Sequence, residues 1–264
     1  GGSFLTLDDL PPGVEDEALP YVIDGGVGGV ELTIDGGPTG VDLSEATLSN
    51  VTGVVFEDDA RLTIQMEDAD LIGAGSFTLA EDADNAELNL VGLSDELFAL
   101  ANYEEGIDIS LTLADDPVVT LHPDTDLTGI SGLEIPEGTD LFIKLEQVIQ
   151  LAYEGGSITG EGTLNITDAS QDVFDALLAE IDAGEIYDIS IGGDVNLGTF
   201  ELTSDLTMPE ILGSVTGAEQ LISGFTYMID GYTFTLPEIF WLDGASVIGE
   251  AGSTITFTDQ GVPI

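Results

Sequence analysis

Internal repetition constrains this chain most. A shift of 79 residues lays Val30-Glu-Leu-Thr-Ile34 on Ile109-Ser-Leu-Thr-Leu113. It also lays Pro38 on Pro117, Leu48 on Leu127, Gly53 on Gly132, Leu62 on Leu141, Ile64 on Ile143 and Glu67 on Glu146. A looser third copy opens near Ile222-Ser-Gly224, where Gly224 takes the place of Gly132. Each copy later reaches a strand-like segment that ends in an acid: Gly75-Ser-Phe-Thr-Leu-Ala-Glu81, Gly162-Thr-Leu-Asn-Ile-Thr-Asp168 and Ser253-Thr-Ile-Thr-Phe-Thr-Asp259. A period of about 80 to 90 residues predicts a tandem architecture in which neighbouring units complete one another's core. The reading is an extended N-terminal arm, residues 1–23, then a repetitive domain, 24–264. The copies span approximately 30–108, 109–200 and a partial 201–264.

Within a copy the hydrophobic period is two. Leu62, Ile64 and Met66 alternate with Thr63 and Gln65, and Leu141, Ile143 and Leu145 with Phe142 and Lys144. Leu164 and Ile166, Ile189 and Ile191, and Ile255 and Phe257 follow the same rule. Short runs rich in Thr, Val and Ile, separated by turns such as Asp35-Gly36-Gly37 and Gly192-Gly193-Asp194, predict β-strands with one buried face. Two segments break the rule. Ser170 to Asp182 carries a helical stripe of Val173, Phe174, Leu177, Leu178 and Ile181, with Ser170 as N-cap, Asp172 in the first turn and Gly184 as the stop. Ser94 to Glu105, followed by Gly106, predicts a shorter equivalent.

Charge then sorts the residues. The chain holds 52 acidic side chains against two fixed cations, Arg61 and Lys144, with one histidine and no cysteine. Such a chain cannot neutralise a phosphate backbone, dock on anionic lipid or build an arginine clamp, so nucleic acid is excluded as a partner. Disulfides and thiolate metal sites are excluded as well. With 43% hydrophobic residues and a mean hydropathy of +0.26, this is no disordered acidic tail. Apolar side chains must go inward and carboxylates outward. Two like charges roughly 7 Å apart in water repel by about 0.6 kcal/mol, and two cations cannot offset fifty such charges. Positive charge must come from outside, as divalent cations or concentrated salt. The most apolar stretch, Ile211 to Ile229, is broken by Gly213, Gly217, Glu219 and Gly224, so no membrane insertion is expected. The chain opens Gly1-Gly2-Ser3, without Met or a charged leader, and reads as a mature product or an excised piece.

The expected fold is all-β: a right-handed parallel β-solenoid of tandem 80-90-residue repeats with short helical insertions. Tandem β-sandwiches are the alternative, because the period also equals one sandwich domain. At roughly 20 to 25 residues and about 4.8 Å per coil, the solenoid would be a rod on the order of 50 Å long. Three segments carry a resemblance: Ile130-Ser-Gly-Leu-Glu-Ile-Pro-Glu-Gly-Thr139, Gly160-Glu-Gly-Thr-Leu-Asn-Ile-Thr-Asp168 and Phe174 through Ile191. They resemble the β-solenoid tracts of large secreted bacterial RTX-like adhesins and S-layer-type surface proteins. The resemblance covers Val30 to Asp259 and implies secretion, calcium dependence and an adhesive or scaffold role. The calcium nonapeptide of that family is absent: Gly25-Gly-Val-Gly28 continues as Gly29-Val30, without the ligating Asp.

Acidic pairs recur: Asp58-Asp59, Asp68 with Asp70, Asp82 with Asp84, Asp115-Asp116, and Asp124 with Asp126. Calcium takes six to eight hard oxygen ligands, and two carboxylates in one turn can share an ion. Asp68, Asp70, Asp82 and Asp84 bracket one strand and are the first candidate metal ligands. Asp124 and Asp126, in the turn from His122, come next. No EF-hand loop is present, so a calcium site would be neither of that type nor of the RTX type. No catalytic constellation is visible, and His122 has no nucleophile motif beside it. The aromatics Tyr227, Tyr232, Phe234, Phe240 and Trp241 form either a core plug or a contact with a second subunit.

The expected function is that of an extracellular, cell-surface structural or adhesive protein or filament subunit, not an enzyme, stabilised or cross-linked by calcium. Self-association through the arm and the C-terminal aromatics is expected, with a cell-surface glycan as a further partner. The alternative is a halophile's secreted carbohydrate-active enzyme acting on a neutral polysaccharide.

Overall fold

The computed structural model describes residues 3–7, 22–35, 40–152, 155–183, 190–191, 195–207, 224–237 and 246–258. The chain forms two compact units, the first comprising residues 1–93 and 99–114, the second 94–98 and 115–264. Both are built mainly of strands, and every strand pair given by the described residues is parallel. The all-β class is therefore as expected. The sandwich alternative falls, because sandwich sheets are antiparallel.

The first unit contains β1 (Ser3–Leu7), β2 (Val22–Asp24), β3 (Val30–Ile34), β4 (Val41–Asp42), β5 (Thr47–Ser49), β6 (Val51–Phe56), β7 (Ala60–Gln65), helix α1 (Met66–Ile72), β8 (Phe77–Leu79), β9 (Ala86–Leu93) and β10 (Ile107–Leu113). Pairing skips strands adjacent in sequence. One row runs β1-β3-β6-β8, a second runs β4-β7-β9-β10, and β2 pairs with β5. Each row stacks like on like. Leu32 faces Val54, which faces Phe77; Leu62 faces Leu88, which faces Ile109. These inward residues are almost fully buried, and each contributes about 1.5–3 kcal/mol relative to exposure. The residues between them point outward: Thr63 faces Asn89, and Asn89 Oδ1 accepts hydrogen bonds from Ser110 Oγ and Thr112 Oγ1, both at 3.2 Å.

The second unit contains β11 (Val118–Thr120), β12 (Gly132–Ile135), β13 (Asp140–Ile143), helix α2 (Leu145–Ala152), β14 (Ser157–Gly160), β15 (Thr163–Ala169), helix α3 (Gln171–Ala183), β16 (Ser190–Ile191), β17 (Asn196–Leu202), β18 (Leu206–Thr207), β19 (Thr226–Met228), β20 (Thr233–Pro237), β21 (Ser246–Ile248) and β22 (Thr254–Thr258). Its rows are β11-β13-β15-β17-β19-β21, β12-β14-β16 and β18-β20-β22. Ile143 stacks on Ile166, then Phe200, Tyr227 and Val247. The interior is aromatic here. Tyr227 stacks on Phe234 with ring centroids 4.9 Å apart, and Phe200 lies 5.3 Å from Tyr227.

Hydrogen bonds between successive levels of one row measure how much chain separates one strand from the next in that row. They span 21 residues from Gln65 to Ser44, 25 from Leu79 to Glu104 and 28 from Thr233 to Asp205. Where α3 is inserted the span lengthens to 33 from Gln171 to Ser204 and 34 from Thr199 to Asn165. The helix thus lengthens the excursion without breaking the row.

Several local expectations are met and others are corrected. The helix expected from Ser170 is α3, and Ser170 Oγ accepts the Val173 N–H at 3.3 Å. The Ser94–Glu105 helix does not form; only a 3-10 turn, Leu100–Asn102, is present. Phe98 is buried with its N–H on Thr125 Oγ1, while Leu97 is 58% exposed, so the apolar residues do not share a helical face. Conversely, the alternation read through Met66 and Leu145 ends early, because those residues open α1 and α2. Of the arm, Ser3–Leu7 is a strand on the chain's own β3, with Leu5 opposite Leu32. The arm's Pro11-Pro12 and Glu15-Asp16-Glu17 lie outside the described residues, as do Phe240 and Trp241. Tyr227 and Phe234 have no exposed surface, so these two are core and not an outer contact.

Candidate functional site

The six candidate metal ligands fall into three places. Asp68 and Asp70 lie on α1, two positions apart, and residues at that spacing point to different sides of a helix. They cannot grip one ion as a turn pair would. Asp68 is half-buried, and desolvation together with the neighbouring Glu67 raises its carboxyl above the ordinary 3.8. Asp70 faces Tyr103, whose hydroxyl is pushed up to about 12 by burial and by that carboxylate. Asp82 and Asp84 are exposed in the turn after β8, beside the turn that holds Asp58 and Asp59. There the Asp84 N–H donates to Asp58 Oδ1 at 3.2 Å, and the Asp59 N–H donates to Asn85. Asp124 and Asp126 are exposed on either side of buried Thr125. Among the described residues, no three His, Asp or Glu side chains come together as a metal-holding group.

Several carboxylates serve the backbone instead. Asp24 Oδ1 accepts from Gly26 N–H and Asn50 Nδ2, each at 2.8 Å. The Asn50 amide and the Gly26 N–H hold its carboxyl below the usual range. Asp42 accepts from Ser44 N–H at 2.9 Å, Glu104 from Leu79 N–H at 2.9 Å, Asp126 from Thr128 N–H at 3.0 Å, Asp168 from Leu145 N–H at 3.0 Å and Asp205 from Thr233 N–H at 2.7 Å. Backbone donors at turns and helix starts need partners, and short anionic side chains supply them. Among the described residues the one ion pair is Arg61 to Glu87 at 3.0 Å, both half exposed and each opposite the other in the β7–β9 register. Exposed pairs of this kind contribute about 0–1 kcal/mol.

His122 sits at a structural knot. Its Nδ1 accepts the Asp124 N–H at 3.1 Å. Its carbonyl accepts Gln147 Nε2 at 2.9 Å, and the same amide reaches the Thr125 carbonyl at 3.0 Å. Gln147 Oε1 takes the Lys144 N–H at 3.2 Å, the reach-back of a helix-capping glutamine. Gln147 is 2% exposed and ties the His122 turn to α2. The histidine has a backbone role here.

One concave site lies on the polar face of the second unit's long row. It is a groove of about 270 Å³ lined by Phe142, Asn165, Thr167, Thr199, Glu201, Met228 and Asp230, with Ile166 beneath. Two irregularities make it. The β15–β17 register slips between Leu164 and Ile166 and again between Ile166 and Ala169, so the strands do not match one to one. At the first slip Asn165 turns its Oδ1 to the Thr199 N–H at 2.9 Å. A side chain at Gly198 would collide with that oxygen, so only glycine allows the approach. Asn165 is only 7% exposed, and its amide NH2 has no hydrogen-bond partner among the described residues. Sequence reasoning missed this site, because Asn165 reads as one more outward polar residue and Gly198 lies on another strand. A wider hollow between α3 and β18 is lined by Ser170, Gln171, Asp172, Ser204, Asp205 and Tyr232. There the Gln171 N–H, Gln171 Oε1 and Asp205 Oδ1 are already committed to hydrogen bonds.

Compared with family models, curated proteins and solved structures, the chain matches none of them.

Proposed function

We propose that this chain is an extracellular scaffold or adhesive protein, built as a right-handed parallel β-solenoid whose acidic exterior is completed by divalent cations, calcium first. The observation that supports it most is the parallel return of the chain at spans of 21 to 28 residues, with apolar residues stacked inward and carboxylates left at the turns. Right-handedness rests on the general preference of parallel crossovers. The resemblance of Ile130–Thr139 and Gly160–Asp168 to secreted adhesin and S-layer tracts points the same way. A single exposed ion pair among the described residues leaves the charge of -50 to be met by the medium. End-to-end or lattice association of such subunits belongs to this reading. Electron microscopy of the purified chain in low salt, with 5 mM calcium chloride or with EDTA, tests it. Ordered rods, filaments or sheets that need calcium are expected. Structureless particles in both conditions contradict it.

A further inference from the structure

The groove over β13, β15, β17 and β19 carries a function that the scaffold reading does not assign. The geometry points to a binding site for a neutral sugar unit, held between the Asn165 amide, the Phe142 and Met228 side chains and the Glu201 and Asp230 carboxylates. The inference names a partner class for the adhesive reading and rests on it only to that extent.

The unused donor comes first. Thr199 N–H fixes which end of the Asn165 amide is the oxygen, so the end left without a partner is the NH2. Most of the side chain is buried, but among the described residues the buried polar atom without a partner is Thr139 Oγ1, so the Asn165 NH2 keeps access to the groove, where water or a ligand accepts from it. The occupant must therefore present an acceptor at this point. At the rim, Glu201 and Asp230 are exposed carboxylates and accept only, so the occupant must also present donors. Hydroxyl groups do both. Between them Phe142 and Met228 are half-buried and offer an apolar floor, which suits the C–H face of a pyranose ring. The absence of any Arg or Lys from the lining, two carboxylates at the rim and a net charge of -50 exclude an anionic ligand. At about 270 Å³ the groove takes one or two sugar rings of a longer chain rather than a buried cofactor.

The site is open along the sheet, and affinity per ring in such a groove is modest. Useful adhesion then comes from many chains presenting the groove at once, because linked weak sites gain avidity without new contacts. This ties the inference to the repetitive scaffold.

Isothermal titration of the intact chain in 5 mM calcium chloride, against neutral gluco-, manno-, galacto- and N-acetylglucosamine tetrasaccharides, tests the site. Polygalacturonate serves as the anionic control, and calcium alone is titrated separately. At least one neutral tetrasaccharide is expected to bind in the micromolar to millimolar range, and polygalacturonate is expected not to. Phe142→Ala and Glu201→Gln, both outward-facing, should each weaken binding about tenfold or more with unchanged melting temperature. Asn165→Asp keeps the acceptor for Thr199 while removing the donor, and should abolish binding if it folds. Asp108→Asn, on the polar face of the other unit, should change nothing. Failure of every neutral sugar to bind overturns the site, as does binding that survives Phe142→Ala and Glu201→Gln. Calcium binding lost in Glu201→Gln likewise overturns it, since the groove would then be a cation site. None of these results bears on the calcium-dependent assembly that electron microscopy tests, so the two readings fail separately.

Discussion

Asp168 Oδ1 accepts a 3.0 Å hydrogen bond from the Leu145 N–H, across 23 residues of chain, and thereby caps the first turn of α2. The contact links the end of β15 to the start of the helix that follows β13. An acid that reads in the sequence as the end of a strand is, in the fold, the cap of a neighbouring helix. Asp168→Ala should lower stability by about 1–2 kcal/mol, whereas Asp168→Asn keeps an acceptor and most of that stability. Calorimetric melts of the two variants check this. Equal melting temperatures for both would show that the cap contributes nothing.

Gln147 is the residue with most to lose nearby. Its amide serves Lys144, His122 and Thr125 from a buried position. Gln147→Leu preserves approximate volume but strands two carbonyls and an N–H, so a loss of about 2–4 kcal/mol is expected in urea unfolding. Amide exchange at Asp124 and Thr125 should accelerate with it, because the His122 turn loses its tie to α2.

Thr139 offers the opposite sign. Its Oγ1 is buried without a hydrogen-bond partner, and the residue is 1% exposed. Thr139→Val removes an unsatisfied hydroxyl at nearly constant shape and should stabilise the chain by about 1 kcal/mol. A lower melting temperature for the variant would mean that the hydroxyl is bonded in solution.

Asp68 supplies a pH test. Its folded carboxyl titrates above the ordinary value, so the fold favours the protonated form. That favourable contribution is full at pH below the unfolded value of 3.8 and is lost as pH rises through the raised folded value. At neutral pH the ionised group therefore opposes folding. Asp68→Asn should raise the melting temperature at pH 7, and the gain should shrink as pH falls through the carboxylate range. A gain independent of pH would assign the effect to something other than ionisation.

The strands were largely legible from sequence, because period-two alternation at Leu62-Thr-Ile64 or Leu141-Phe-Ile143 is itself the inside-outside rule of a sheet. Helix α3 was legible from Ser170 and its apolar stripe. Helix α2 was not: Leu145 continues the alternation of Leu141 and Ile143, and its Asp168 cap comes from another strand. The Lys144-to-Gln147 spacing was the one local signal. The acidic pairs were legible as a charge problem but not as sites. Asp68 and Asp70 read as one of two pairs that bracket a strand, and the helix that carries them separates their carboxylates. The groove was invisible because it depends on two slips of register between β15 and β17, and register is a property of pairs of strands.

The central claim is that this acidic β scaffold is completed by cations from its medium, and a calcium-dependent melt tests it most directly. The intact chain is melted by calorimetry in low-salt buffer with EDTA, with 5 mM calcium chloride, and with sodium chloride matched in ionic strength. If calcium binds only the folded chain and is present at a hundredfold excess over its dissociation constant, it adds about 2.7 kcal/mol, or roughly 5 to 10 °C. The account predicts that shift with calcium and a much smaller one with matched sodium chloride. Identical melting temperatures in all three, or a rise only at molar sodium chloride, would contradict it.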